Sequence, residues 1–186
     1  MPFAVLRKKS IFLQKNIMNI RKATYNDLPR LMEVFSAAKQ IMRNSGNLHQ
    51  WNDSYPSEDI VLKDIEDGVC HVICDENSEI IATMALIPGP DPTYGTIYTD
   101  SAMIIKGSWL DDGPYHVIHR IAASEPGKGI FGAFLEHTSG TIRIDTHEEN
   151  VIMHHLLHKN GFARCGYIKL ASGETRVAYI RVIRQY

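Results

Sequence analysis

The stretch His119-Arg120-Ile121-Ala122-Ala123-Ser124-Glu125-Pro126-Gly127-Lys128-Gly129-Ile130-Phe131-Gly132 passes from a β-patterned segment through a glycine-rich turn into apolar residues at helical spacing. Glycine lets a backbone come close to a ligand. A helix that starts beyond such a turn aims unpaired N–H groups and the positive end of its dipole into it. The turn therefore suits an anionic, phosphate-bearing ligand. A plain strand-to-helix connection accounts for the same glycines, so the two readings are separated by the sequence around them.

Upstream, residues 19–22 read as a first strand. Asn26 or Asp27 can cap a helix that places Leu28, Leu31, Met32, Phe35, Ala38 and Met42 on one face and stops at Asn44-Ser45-Gly46. Ser57 can cap a second helix, with Glu58 and Asp59 favouring its N-terminus and Asp67-Gly68 ending it. Strands over residues 70–74 and 79–87 follow, joined by a turn at residues 75–78 and broken by Pro88-Gly89-Pro90-Asp91-Pro92. Residues 91–113 form an excursion, with a strand expected at 97–99 and a short helix near 108–110.

Downstream of a strand over 115–124 and the turn come a short helix over 129–137, a strand over 141–145, a helix over 149–160 and a strand pair over 165–170 and 176–183. The order β-α-α-β-β-β-α-β-α-β-β predicts one α/β domain of mixed α+β type. Its centre is a mixed, mostly antiparallel sheet of six to seven strands, flanked on both faces by about four helices.

This order resembles the GNAT superfamily of acyl-CoA-dependent N-acetyltransferases, in its bacterial small-molecule branch. The resemblance spans residues 19–183. It rests on His119 to Gly132 in place of a pyrophosphate-loop motif, on Ile142-Arg143-Ile144-Asp145-Thr146 followed by Asn150, and on Lys159-Asn160-Gly161-Phe162. Gln50-Trp51 with Tyr55-Pro56 adds to it.

The resemblance implies that the fourth strand splays from the fifth and that acetyl-CoA is the cosubstrate. The amide arm of CoA would pair with backbone groups at Ile121 and Ala123, and a backbone N–H near Ile121 or Ala122 would polarise the thioester oxygen. The N–H groups of Gly127, Lys128, Gly129, Ile130, Phe131 and Gly132 would take the pyrophosphate, and Asn150 would meet the pantetheine or the reacting end. Gln50, Trp51 and Tyr55 would line the acceptor site; simple packing of an aromatic loop is the other reading. The chain departs from the family pattern at Pro126 and Phe131 in the loop. It also has Leu157 where a tyrosine often protonates the leaving thiolate. A CoA thiol with a pKa of about 8.5, by analogy with cysteine, can leave without that acid.

Amine acylation needs a neutral amine, and an alkylamine of pKa about 10.4 is neutral in roughly one molecule in a thousand at pH 7. A base or a desolvating pocket must supply it. Strand alternation sets Tyr115, Val117 and His119 on one face and His116, Ile118 and Arg120 on the other. His119 is the first candidate base and Tyr115 the second, with a hydrogen-bonded structural histidine as the competing reading. Glu33 reads as a solvated residue of the first helix. Asp145-Thr146-His147 is expected to cap the helix that follows.

Six of the 20 basic residues and none of the 21 acidic ones fall within residues 1–22, which leaves 14 basic against 21 acidic residues in the remainder, a charge of −7. That balance gives no footprint for nucleic acid and leans towards a cationic or amine acceptor. Cys70, Cys74 and Cys165 are an odd set that suits reduced thiols and a cytoplasmic protein. Residues 1–18 are expected to be a disordered extension of a single domain over 19–186, and no membrane span is expected.

His154, His155 and His158 lack the pattern of a zinc site, so no metal is expected. Lys128 is followed by Gly129 rather than Ser or Thr, which argues against a P-loop, and Ser124 lacks the setting of a hydrolase nucleophile. Pairing through the C-terminal strands would allow a homodimer. The competing function is a noncatalytic acyl-CoA-binding or interaction module on the same fold.

Overall fold

The computed structural model describes residues 18–183. Seven strands form one sheet: β1 Asn19–Lys22, β2 Cys70–Cys74, β3 Ile80–Pro88, β4 Tyr115–Ala123, β5 Thr141–Thr146, β6 Ala163–Lys169 and β7 Thr175–Arg181. Their spatial order is β1-β2-β3-β4-β5-β7-β6. The β4–β5 pair is parallel and every other neighbouring pair is antiparallel. Helices α1 Leu28–Asn44 and α2 Glu58–Glu66 cover one face, and α3 Ile130–His137 and α4 Val151–Lys159 cover the other.

The burial pattern follows from this layering. All five residues of β2 are buried. Cys70, Val72 and Cys74 pack under α1 and α2, while Ile73 packs on the α3/α4 side. A strand covered on both faces reads as a continuous apolar run rather than an alternation. In α1 the stripe Leu31, Val34, Phe35 and Ala38 is buried, at the spacing that turns one helix face to the sheet. Ser57 caps α2 by accepting the Ile60 N–H at 3.4 Å. Asp27 precedes α1 but gives its carboxylate to Arg21 and to the Thr24 N–H instead of to the helix.

The excursion between β3 and β4 differs from its expected form. Pro88 does not break the strand: it pairs with His116 as the last residue of β3, where the lost N–H costs least. No helix forms near residues 108–110. Trp109 is buried there, stacked on Tyr94 with ring centroids 5.7 Å apart, and its indole N–H donates to the Tyr94 carbonyl at 2.9 Å. Burying the ring decides the path of so short a segment. Tyr94, Ile97 and Trp109 pack on Val117, Ile168, Ala178 and Ile180, extending the α1/α2 layer across the rest of that face.

At Tyr98 the excursion exchanges both backbone hydrogen bonds with Tyr167, at 2.8 and 2.7 Å. It thereby occupies the middle of the β6 edge through which dimer pairing was expected. Met18, expected in the extension, packs against the α3/α4 core; residues 1–17, the rest of that extension, lie outside the described residues. Among the described residues no helix is long and apolar enough to cross a membrane. The three cysteines are free thiols, with Cys70 and Cys74 buried; burial pushes the Cys70 thiol up to about 11.

Candidate active site

The parallel strands β4 and β5 pair only through Tyr115–Thr141, His116–Ile142 and Val117–Arg143. β4 then runs on to Ala123 without β5, whose Ile144, Asp145 and Thr146 are held by β7. A wedge opens between the two strands. The Ser124 N–H is spent on the Ile81 carbonyl of β3 at 2.9 Å, so strand alternation turns the N–H groups of Ala123 and Ile121 into the wedge.

A bulge shapes its rim. Thr83 faces Ala122 and Ala85 faces His119, so one residue of β3 stands opposite two of β4. Arg120 takes φ +51°, a left-handed conformation that costs an L-residue about 1–2 kcal/mol. The extra residue corrects the expected alternation: Arg120 does not share a face with His116 and Ile118 but lies on the face of His119. It binds Asp64 of α2 through Nε at 2.6 Å and Nη2 at 2.7 Å, both side chains being 12% exposed.

In the glycine-rich turn, Gly127, Lys128 and Gly129 have φ values of 90°, 57° and 71°. A methyl group added at Gly127, Gly129 or Gly132 would meet nothing within 4 Å, so the loop backbone can be approached closely. The first N–H bonded within α3 is that of Ala133, to the Gly129 carbonyl at 3.0 Å. The N–H groups of Ile130, Phe131 and Gly132 therefore have no acceptor in the helix. The side chains of Ile130 and Phe131 are buried, Phe131 lying 6.1 Å from the Phe162 ring. Lys128 pairs with Glu125 at 2.8 Å.

On the α1/α2 face, His119 Nε2 stands 3.1 Å from Asp91 Oδ2. A carboxylate only accepts, so Nε2 carries the proton and Nδ1 is left as the basic atom. Asp91 also accepts the Thr93 N–H at 2.8 Å, and these hydrogen bonds, that of His119 foremost, lower its pKa. The buried Tyr94 sets its ring edge-on to His119 with centroids 5.9 Å apart, and donates its hydroxyl to Asp145 Oδ1 at 2.5 Å. Asp145 is half-exposed by its surface yet deeply surrounded, as a residue on the floor of a cleft is; burial raises its pKa and pushes that of Tyr94 well up. Two carboxyl groups thus flank the wedge, Asp91 kept ionised and Asp145 biased towards the neutral acid.

The other expected site residues divide into two sets. The Tyr115 hydroxyl accepts the Asp91 N–H at 3.1 Å, and its ring lies 3.8 Å from the Arg143 guanidinium. Asn150 is buried and caps α4 by accepting the Met153 N–H at 3.0 Å, while its amide donates to Gln50 Oε1 at 2.7 Å. Gln50 Oε1 also accepts from Asn47 at 3.0 Å and Thr146 at 3.3 Å. Trp51 packs edge-on against Phe35 and lies 6.1 Å from Tyr55, whose hydroxyl accepts from Arg120 at 3.4 Å.

Asp145 is not the cap expected of the 145–147 segment; Asn150 fills that place. Glu33 pairs with Arg30 at the surface. His154 lies between the Tyr179 hydroxyl at 2.7 Å and the Glu148 carbonyl at 3.2 Å. Among the described residues, no group of three or more His, Cys, Asp or Glu side chains could hold a metal ion. Sequence reasoning missed Asp91, Tyr94 and Asp145. Asp91 sits in a proline-rich break and Tyr94 beyond it, and only the folded excursion brings them over β4 and β5.

A mixed sheet with a parted parallel pair, a glycine turn at one end of the wedge and titratable groups beside it defines an acyltransferase of the CoA-dependent type. A GNAT-family acetyltransferase from Streptococcus agalactiae is 32% identical over 90% of this chain and 96% of its own length, with a TM-score of 0.77. The chain belongs to the GNAT family of acetyltransferases. GNAT-family proteins from Listeria monocytogenes (20% identity, 89% of this chain, 95% of that one, TM-score 0.60) and Bacillus cereus (18%, 91%, 99%, 0.55) share the fold. No family model and no curated protein matches the chain. Membership carries transferase chemistry on a CoA thioester, with acetyl-CoA as cosubstrate.

Proposed function

We propose that this chain moves the acetyl group of acetyl-CoA to a primary amine by direct attack of the amine on the thioester. Unpaired N–H groups at Ile121 and Ala123 would hold the amide arm. Those of residues 127–132 would receive the pyrophosphate, with Ile130 and Phe131 contributing backbone only. The carbonyl oxygen would be polarised at the Ile121 end of the Ile121 and Ala123 pair, because the alternation that turns the Ser124 N–H to β3 turns that of Ala122 the same way. Holding amine and thioester together in the wedge supplies much of the rate.

His119 is the base in this reading: Nδ1 takes the proton of the attacking amine as the new C–N bond forms and the thiolate departs. Asp91 fixes the tautomer, and Tyr115 positions Asp91. Trp51 and Tyr55 wall the acceptor side, Gln50 ties their loop to β5 and α4, and Asn150 acts as the cap that starts α4 beside the wedge. The observation that carries the proposal is the His119–Asp91 pair at the mouth of a strand parting whose other end meets the glycine turn.

The test joins isothermal titration with acetyl-CoA to thiol release over a panel of amines. Wild-type protein should bind acetyl-CoA at a 1:1 ratio and release thiol in an amine-dependent way. His119→Ala should keep the affinity and lose about 10²–10⁴-fold in kcat. An unchanged kcat removes His119 from the chemistry. Tight acetyl-CoA binding with no thiol release from any amine would make the chain a noncatalytic acyl-CoA-binding module.

A further inference from the structure

An open pocket of about 360 Å³ lies beyond the C-terminal end of β5, lined by Ser101, His147, Glu148, Tyr167, Glu174 and Arg176 among others. We propose that this pocket receives a carboxylate borne by the acceptor amine, and that Arg176 binds it; the acceptor is then an amino acid or a close analogue. This rests on the acetyl-transfer reading above and names the substrate class for it.

Arg176 is a guanidinium at the wall of a pocket, with a side chain only 6% exposed. Its Nη1 donates to the neighbouring Thr175 carbonyl at 3.1 Å and its Nη2 to Glu174 Oε2 at 3.0 Å. Glu174 is 53% exposed, so the charge partner comes from the solvent side, where an ion pair contributes little. A guanidinium carries five N–H donors in a planar fork that matches a carboxylate. A substrate carboxylate entering the pocket can displace Glu174 and gain both hydrogen bonds of the fork.

The register puts this group beside the reacting centre. Asp145 pairs with Ala178, and Arg176, two residues earlier on β7, projects from the same face. Extending that register by one residue past Thr146–Val177 sets His147 opposite Arg176. Diagonal neighbours on adjacent strands lie about 7–8 Å apart. Across the sheet the face therefore reads Arg176, Asp145, wedge, His119. An amine held over Asp145 and His119 has a carboxylate site a few bonds away.

The surrounding charges sharpen the choice. His147 has its pKa lowered by burial and then by Arg176, so it meets an anion as a neutral hydrogen-bonding group. Glu148 and Glu174 line the same pocket and disfavour ligands that are purely anionic. An amine without a carboxylate leaves Arg176 on Glu174 and gains nothing from it.

The experiment compares free L-amino acids with their carboxamides in the thiol-release assay, using wild-type protein, Arg176→Gln and Glu174→Gln. It also titrates the corresponding N-acetyl amino acids and N-acetyl carboxamides into each protein saturated with CoA. At least one free acid should exceed its carboxamide in kcat/KM. Arg176→Gln should lower kcat/KM for that acid by at least about 30-fold, mainly through KM, and leave the carboxamide within about twofold. Glu174→Gln should lower KM for the acid, because it removes the competing carboxylate.

Thermal unfolding and acetyl-CoA titration of Arg176→Gln show whether the variant is folded. If it is not, the acid-over-amide preference of the wild type and the Glu174→Gln shift decide. Turnover of carboxamides or simple amines at or above the acids overturns the inference while acetyl transfer stands. If no amine is turned over, acetyl transfer itself fails. Carboxylate-dependent binding of an N-acetyl amino acid that Arg176→Gln abolishes would then still support the pocket, and its absence would overturn that too.

Discussion

Asn150 Nδ2 donates to Gln50 Oε1 at 2.7 Å across 100 residues of sequence. That single oxygen also accepts from Asn47 and Thr146, so the loop between α1 and α2 is tied to the end of β5 and the start of α4. Gln50→Leu strands three donors at once, all on buried residues, Asn47, Thr146 and Asn150. A buried group left without its partner costs about 1–3 kcal/mol, which for a domain of this size lowers Tm by roughly 2–4 °C per kcal/mol. Thermal unfolding should show Gln50→Leu clearly below wild type, with Gln50→Glu, which keeps the acceptor, closer to it. Equal melting of all three would remove the strut from the fold's support.

The Arg120–Asp64 pair ties the bulge of β4 to α2, and both side chains are largely removed from water. Asp64→Ala leaves a guanidinium buried without its carboxylate, an arrangement that costs about 3–5 kcal/mol. The double variant Asp64→Leu/Arg120→Met removes both charges and should recover more than half of that loss. Urea unfolding of the two singles and the double gives the coupling directly. Additive losses would show that the two side chains do not act as a pair.

Asp27 accepts from Arg21 Nη1 and Nη2 at 2.7 and 2.9 Å and from the Thr24 N–H at 2.7 Å, which holds its pKa down at about 2 against an ordinary 3.8. The folded-state value lies below the unfolded one, so the stabilisation is complete above the unfolded pKa and is lost as pH falls through the folded one. With Arg21 39% exposed to screening water, the contribution is about 1–2 kcal/mol. Denaturant titrations at neutral pH should place Asp27→Asn below wild type by that amount. The gap should close between about pH 4 and pH 2, and a gap that is constant with pH would assign the effect to something other than ionisation.

Leu157 stands where the family often has a tyrosine, and the structure gives it another task. Its side chain is fully buried in the core between the sheet, α3 and α4. Leu157→Tyr should therefore overpack that core by about 1–3 kcal/mol without bringing a hydroxyl to the wedge. Thermal unfolding and thiol release together check this. A faster variant would mean that the ring reaches the leaving sulfur after all.

Where local pattern governs, the sequence foretold the structure closely. The helix face carrying Leu31, Phe35 and Ala38, the Ser57 cap and the glycine turn all follow from contacts within a few residues, whereas Val34 is buried in that stripe and the expected Leu28, Met32 and Met42 are only half-buried. The wedge was foreseen through the resemblance to the family, and the strand register then located it. The bulge at Arg120 was not legible, because a strand covered on both faces, with Val117 and Ile118 both buried, has no strict alternation against which the adjacent polar pair His119-Arg120 would stand out; Asp64, 56 residues earlier, holds the extra residue in place. Asp91 and Tyr94 escaped for a similar reason: prolines and a glycine mark a loop, but where it lands depends on Trp109 finding cover. Asp145 read as a cap because aspartate at a strand end usually is one, and only Tyr94 overhead assigns it to the cleft floor.

The bulge also divides β4 into two halves that are out of phase. Before it, the inward and outward positions of the strand are set by β5 through Val117 and Arg143. After it, they are set by β3 through Ala122 and Thr83 and by the anchor at Asp64. Pairing β4 straight through with every residue kept would thus exchange inside for outside along one half while leaving the other untouched. His119 would lose its place over the wedge, or Ala122 its place under α1; deleting Arg120 instead would set His119 and Ala122 two apart, keep both on their face, and remove the anchor to Asp64. The strand behaves as a hinge of sequence phase, and its single surplus residue lets one continuous segment serve both the scaffold and the cleft.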